Sequence, residues 1–224
     1  MKGIHDGHRD RLRERFREHG LDNFSDINVL ELMLCYAIPR RDVNPLAHRL
    51  LDTFGSLHGV FEASPEALAQ VEGVGENTMI LIRLIPQLSR RYQISRQSEQ
   101  DMLSSSERAG AFLAPRFLYE REEVILMVCL DSSCRVITCR EVGRGEPNSA
   151  VLSVRRVVET ALSQNSTSVI LAHNHTSGIA VPSQEDVNTT KRIAEALDMV
   201  NIHLTDHIVV ADDDFVSMAD SGML

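Results

Sequence analysis

Two periodicities divide the chain. Up to about residue 92 the apolar positions recur at helical spacing. Beyond residue 123 they run in short unbroken blocks. In the first part, Leu12 and Phe16 lie four apart within a densely charged stretch, residues 8–20, which Gly20 closes. Ser25-Asp26 can cap a helix from Ile27 to about Ala37 that is apolar nearly all round, and Pro39 ends it. Leu46, Ala47, Leu50, Leu51 and Phe54 mark a third helix, stopped by Gly55. A helical turn over Leu57 to Phe61, a helix opened by Ser64-Pro65-Glu66 and a long helix from about Thr78 to Tyr92 follow. In the second part, Val124 to Leu130 reads as a buried strand. The Asp131-Ser132-Ser133 turn returns it as Arg135 to Cys139. Val154, Val157, Val158, Ala161 and Leu162 give a helix, and Val169 to Ala172 a second buried strand. A helix over Gln184 to Leu197, a strand over Ile202 to Val210 and a short strand at Phe215 to Ser217 complete the pattern.

Between the two parts, Ser95 to Ser106 is mostly polar and predicts a boundary. The expected organisation is a helical domain over 1–93, a linker over 94–106 and an α/β domain with a mixed sheet over 107–224. Charge follows the same division. Residues 1–97 hold 13 Lys/Arg and 13 Asp/Glu, whereas residues 98–224 hold 10 and 19, which accounts for the net charge of −9. An acidic second half is a poor surface for phosphate backbones. If nucleic acid is bound, the first half is the better candidate.

The chemistry gathers at one place. The strand Val169 to Ala172 runs directly into His173-Asn174-His175, then Thr176-Ser177-Gly178, then Pro182-Ser183-Gln184-Glu185-Asp186. Residues i and i+2 of an extended chain face the same way, so His173 and His175 present two imidazoles on one side. Asp186 falls in the first turn of the next helix. Two imidazoles and a carboxylate are the ligand set of a zinc site with a coordination position left for water. Ser183 and Asp186 also fit a helix capping box, and the two roles are compatible. Hydrolysis needs in addition a carboxylate to take a proton. On spacing alone Glu120, Glu122, Glu123, Glu146 and Glu159 all qualify.

Other features carry less. Gly73-Val74-Gly75 lies between two helices and is similar to the turn of a helix-hairpin-helix module, whose bared N–H groups can hold a DNA phosphate. Glu72 and Glu76 flank it and oppose that use. The arginines of residues 9–17 are interleaved with acids, as on a solvated helix face. Cys35, Cys129, Cys134 and Cys139 have no CxxC spacing and read as free thiols, although the last three recur every five residues and a structural zinc knot is the alternative. Aromatics make up 4% with no Trp, so base-stacking platforms are not evident. No apolar run approaches the roughly 18 residues of a membrane span. The first residues do not read as a signal peptide, and a cytosolic protein is expected.

His173-x-His175 followed by seven residues and Ser183-x-x-Asp186 resembles the JAMM (MPN) metallopeptidase motif. With Asn174, Ser177-Gly178 and Pro182 around it, the stretch is similar to that of the bacterial RadC family, and Ala37 to Pro45 resembles the N-terminal region of the same proteins. The resemblance implies a JAMM/MPN α/β sandwich of the cytidine-deaminase-like kind behind a helix-hairpin-helix-like domain. It implies a Zn2+ cofactor on His173, His175 and Asp186, and a peptide or protein substrate. Glu123, counted back from Leu130-Asp131, would be the general base, and Ser183 the oxyanion donor. Asp206-His207-Ile208 matches a family segment of supporting polar residues, and Arg155 matches a family arginine. Three stretches depart from the family pattern. Thr176 replaces Pro, Arg144-Gly145-Glu146 replaces Ser-Gly-Thr, and Val154-Arg155-Arg156 replaces Pro-Arg-Glu. The leading function is a RadC-like zinc hydrolase. The alternative is a non-catalytic DNA-repair accessory protein that binds DNA through Gly73 and Gly75. A nucleobase deaminase is disfavoured, because no PCxxC accompanies the histidines.

Overall fold

The computed structural model describes residues 7–97, 101–145, 153–212 and 214–224. It divides into two compact units, Met1–Ser89 and Arg90–Leu224.

The first unit is helical: α1 (His8–His19), α2 (Asp26–Ala37), α3 (Asn44–Phe54), α4 (Leu57–Glu62), α5 (Pro65–Ala69) and most of α6 (Glu76–Ser95). Local chemistry sets the helix ends. Ser25, Ser56 and Ser64 accept hydrogen bonds from the backbone N–H groups of Asn28, Gly59 and Ala67. Gly55 closes α3 in the left-handed conformation. Leu30, Leu34, Leu46, Leu50, Leu68 and Ile82 form the core. Within it Glu31 is buried, and its carboxylate is satisfied by Asn28 Nδ2 and Asn44 Nδ2 at 3.0 Å each and by His8 Nε2 at 3.1 Å. This polar knot ties α1, α2 and the start of α3 together.

The second unit comprises α7 (Ser106–Phe117), β1 (Glu123–Leu130), β2 (Val136–Gly145), α8 (Val154–Ser163), β3 (Ser168–Asn174), α9 (Gln184–Asp198), β4 (His203–Ala211) and β5 (Asp214–Ser217). The sheet order is β2-β1-β3-β4-β5. β3 and β4 are parallel and the other pairings antiparallel, so the sheet is mixed as expected. Both faces are covered. Val124, Leu126, Val128 and Leu130 of β1 pack with Leu113 and Phe117 of α7. Ile125, Met127 and Cys129 pack with Val157 of α8 and Ile193 and Leu197 of α9. Double coverage is why the strands read as continuous apolar runs rather than alternating ones.

Two features differ from the sequence expectation. Helix α7 had no counterpart. Its apolar positions, Ala109, Phe112, Leu113 and Phe117, do have helical spacing, but Gly110 and Pro115 disfavour a helix on propensity. Docking on the sheet decides the matter. Strand β2 runs on through Gly143-Arg144-Gly145, beyond the Arg135 to Cys139 that the sequence predicts. Within the 94–106 stretch, α6 continues to Ser95, and Asp101 and Leu103 hydrogen-bond to Val136 and Cys134 of the hairpin. Cys129 and Cys139 belong to opposite faces of the sheet, so the three evenly spaced cysteines do not form a knot. Among the described residues no helix is long and apolar enough to cross a membrane.

Candidate metal centre

The sheet register decides which side chains meet. Ile125 of β1 lies opposite His173 of β3, so Glu123, two residues from Ile125, shares the face of His173. Leu171 pairs with His207 of β4, which puts His207 on that face as well. This is the face covered by α8 and α9. Beyond the end of β3, the His175 N–H bonds to the Val210 carbonyl at 2.8 Å and keeps the chain extended. The left-handed Gly178 then turns it toward Ser183, the N-cap of α9.

There, His173 Nε2 lies 2.9 Å from His175 Nε2 and 3.4 Å from Asp186 Oδ1, and His175 Nε2 lies 3.6 Å from Asp186 Oδ2. Among the described residues this is the one group of three or more His, Cys, Asp or Glu that could hold a metal ion. Ligand atoms about 2.0–2.2 Å from a tetrahedral zinc stand roughly 3.3 Å apart. The two contacts of His173 bracket that value, His175 approaches the other carboxylate oxygen, and one ligand atom from each residue lies within 4.8 Å of the others.

Proton accounting strengthens the fit. Thr190 Oγ1 is 2.6 Å from the Asp186 carbonyl oxygen and 2.6 Å from His207 Nδ1. The carbonyl can only accept, so the hydroxyl donates to it and His207 Nδ1–H must donate to the hydroxyl. Burial holds His207 well below its ordinary pKa, so its Nε2 carries a lone pair. That atom sits 2.9 Å from His173 Nδ1, which must therefore be the donor. Burial also lowers His173, to about 4, against the opposing pull of Asp186. Its Nε2 therefore bears a lone pair aimed at the centre. His175 Nδ1 donates to the Ile179 carbonyl at 3.0 Å, which turns its Nε2 inward too. Two lone pairs and a carboxylate face one another. Such a cluster needs positive charge at its middle, either a cation or a second proton on His175.

Asp186 is divided between two duties. Its Oδ2 accepts from the Ser183 N–H at 2.7 Å and from Ser183 Oγ at 2.6 Å, while Ser183 Oγ accepts from the Asp186 N–H. The capping box and the cluster therefore coexist in one helix turn. Burial pushes the Asp186 carboxyl up, but the Ser183 hydroxyl and His173 outweigh it and hold it low.

The four candidate carboxylates among the described residues separate cleanly. Glu120 is paired with Arg90 and Arg144, each at 2.9 Å, and Glu159 with Arg155 at 2.7 Å on the solvent side of α8. Glu122 is exposed, 3.7 Å from Arg144. Glu146 lies outside the described residues. Among the described candidates, Glu123 alone is both on the cluster's face and coupled to it. Burial and the charge of Asp186 raise its pKa, against the pull of His175. A residue to which the motif assigns no role fixes it there. Asn174 points to the opposite face, where its Oδ1 accepts from the Val124 N–H at 2.7 Å and its Nδ2 donates to the Glu122 carbonyl at 3.0 Å. The Asn between the two histidines thus clamps the backbone on both sides of Glu123. Asp206 is buried away from the cluster and caps the last turns through the backbone N–H groups of His207 and Ala219 and the Ser217 hydroxyl.

In the helical unit, Gly73 has φ +97° in the turn before α6, with Arg49 beside it, whereas Gly75 has no such requirement.

Comparison with known proteins agrees with the fold. A RadC-like JAB domain profile matches residues 103–223, and a UPF0758 N-terminal profile matches residues 6–80. The chain belongs to the RadC-like JAB family. UPF0758 proteins resemble it from end to end. That of Marinobacter nauticus is 35% identical and that of Saccharophagus degradans 34%, each over 96% of both chains. UPF0758 protein FN0909 of Fusobacterium nucleatum is 32% identical over 97% of both. Membership in the RadC-like family accords with the mixed sheet and with a JAB-type cluster able to bind a metal.

Proposed function

We propose that the α/β unit is a zinc-dependent hydrolase of peptide or isopeptide bonds. The observation that supports this most is the proton accounting: hydrogen bonds turn both imidazole Nε2 atoms and a carboxylate toward one point. His173 and His175 would hold zinc through Nε2 and Asp186 through Oδ1, the oxygen Ser183 does not use. Zinc in such a site supplies Lewis acidity and lowers the pKa of water from 15.7 to about 7. Glu123 receives the proton as water attacks the carbonyl. Its raised pKa brings it closer to the working pH, as suits a general base. Ser183 turns its hydroxyl from Asp186 to the developing oxyanion, a contact worth about 2.7–4 kcal/mol in other hydrolases.

Metal analysis of protein purified without chelators tests the site. One zinc per chain is expected, lost in His173→Ala and Asp186→Ala. Glu123→Gln should keep the zinc and lower turnover of peptide or isopeptide substrates by about 10²–10⁴. Wild-type protein without zinc would sink the reading. The alternative, DNA binding through Gly73 and Gly75, has in its favour the left-handed Gly73 with Arg49 beside it. A salt-dependent DNA mobility shift that disappears when both glycines are replaced by bulkier residues would favour it.

A further inference from the structure

We propose that a cavity in the helical unit binds a phosphomonoester carried by a ligand of about nucleotide size. The cavity, of about 360 Å³, lies between the start of α1, the end of α2 and the Pro39–Val43 segment. That volume is at the small end of the range for ligand pockets, about 300–1,000 Å³.

Its wall is cationic. Arg9, Arg13, Arg40 and Arg41 line it, in a domain whose charges balance overall. Arg9 is structural. Its guanidinium donates to the carbonyls of Ile38, Pro39 and Arg41 and so lashes down the turn that carries the other two. The two acids at the cavity are already engaged. Asp10 is 3.6 Å from Arg13, and Asp42 Oδ1 accepts the Asn44 N–H at 3.1 Å. Arg40 and Arg41 have no ion-pair partner among the described residues, and both are exposed. Cys35 is buried against the cavity, and burial pushes its thiol up despite Arg9 and Arg13, so no thiolate competes for the cationic groups.

Like charges gathered around a small space repel one another unless an anion joins them. A phosphomonoester carries about −1.5 to −2 at neutral pH and offers three strong acceptor oxygens. The planar guanidinium fork matches it bidentately. A phosphodiester, with one charge and two free oxygens, matches less well. The hydrolase chemistry makes no use of the Pro39-Arg40-Arg41-Asp42 motif. The phosphate could be that of a free nucleotide or the 5′ end of a nucleic acid strand.

The test uses the full chain and Arg40→Gln/Arg41→Gln, whose exposed side chains leave the fold intact, as matching melting curves would verify. Calorimetry compares adenosine 5′-monophosphate with adenosine. Fluorescence anisotropy compares a short oligonucleotide bearing a 5′-phosphate with the same strand bearing a 5′-hydroxyl. Binding of the monophosphate but not the nucleoside, weakened at least about tenfold by the double substitution, supports a free-nucleotide site. Binding only of the 5′-phosphorylated strand, weakened likewise, supports a strand-end site. Equal binding of both strands without binding of the nucleotide overturns the proposal, because it reports backbone contacts alone. Absence of binding by every phosphorylated probe, or binding that the double substitution leaves unchanged, also overturns it.

Discussion

At the scale of single residues, the cluster is governed by which nitrogen holds a proton. His207 touches no proposed ligand site on the ion, yet it sets the tautomer of His173. Replacing it with Phe removes the acceptor for His173 Nδ1–H. Zinc affinity, measured by competition with a chromophoric chelator, should fall about 10–100-fold. His207→Gln, which retains an acceptor, should lose less. The same burial makes the metal-free protein sensitive to acid. His173 has a folded pKa of about 4, below its unfolded value near 6.5, and His207 is depressed as well. The unfolded chain therefore binds more protons than the folded one across that interval. Stability is complete above pH 6.5 and declines as pH falls toward 4. Thermal melts of the metal-free chain should show this decline, and His173→Gln should flatten it.

At the scale of elements, strand pairing and helix docking convert a linear motif into a site. Glu123 and His173 are fifty residues apart, and one antiparallel register makes them neighbours on a single face. A one-residue slip would turn Glu123 to the opposite face. Helix α7 exists on similar terms, because it forms where it can dock. At Gly110 the helix comes close to β5. A Cβ there would stand 2.4–2.5 Å from atoms of the Phe215 ring of β5. Gly110→Ala should therefore destabilise the α/β unit despite a gain in helix propensity of about 1 kcal/mol, since overpacking typically costs about 1–3 kcal/mol. Chemical denaturation followed by circular dichroism would measure the balance, and an increase in stability would show that α7 has room to shift.

At the scale of the whole molecule, the two compact units have separate cores and separate chemistry. The proposed ion belongs wholly to the second. Calorimetry should resolve two transitions, of which added zinc raises one. At a free concentration 100 times the dissociation constant the gain is about 2.7 kcal/mol, and chelation should reverse it. A shift of both transitions, or of neither, would contradict this assignment.

Much of this was legible in the chain. The change from helical spacing to unbroken apolar blocks marked the two units, since each kind of core imposes its own period on the residues that face it. His-x-His at a strand end and Asp in the next helix turn could be read as one cluster because i, i+2 alternation and helix capping are local rules. Long-range register, burial and docking were not legible. They put Glu123, among the four described candidate carboxylates, on the cluster's face, assigned Asn174 to its clamp, chose the tautomers through His207 and Thr190, and drew Ala109–Phe117 into a helix. Local spacing reports which residues share a face of one element. Which faces then meet, and which protons they leave behind, depends on contacts between residues far apart in the chain.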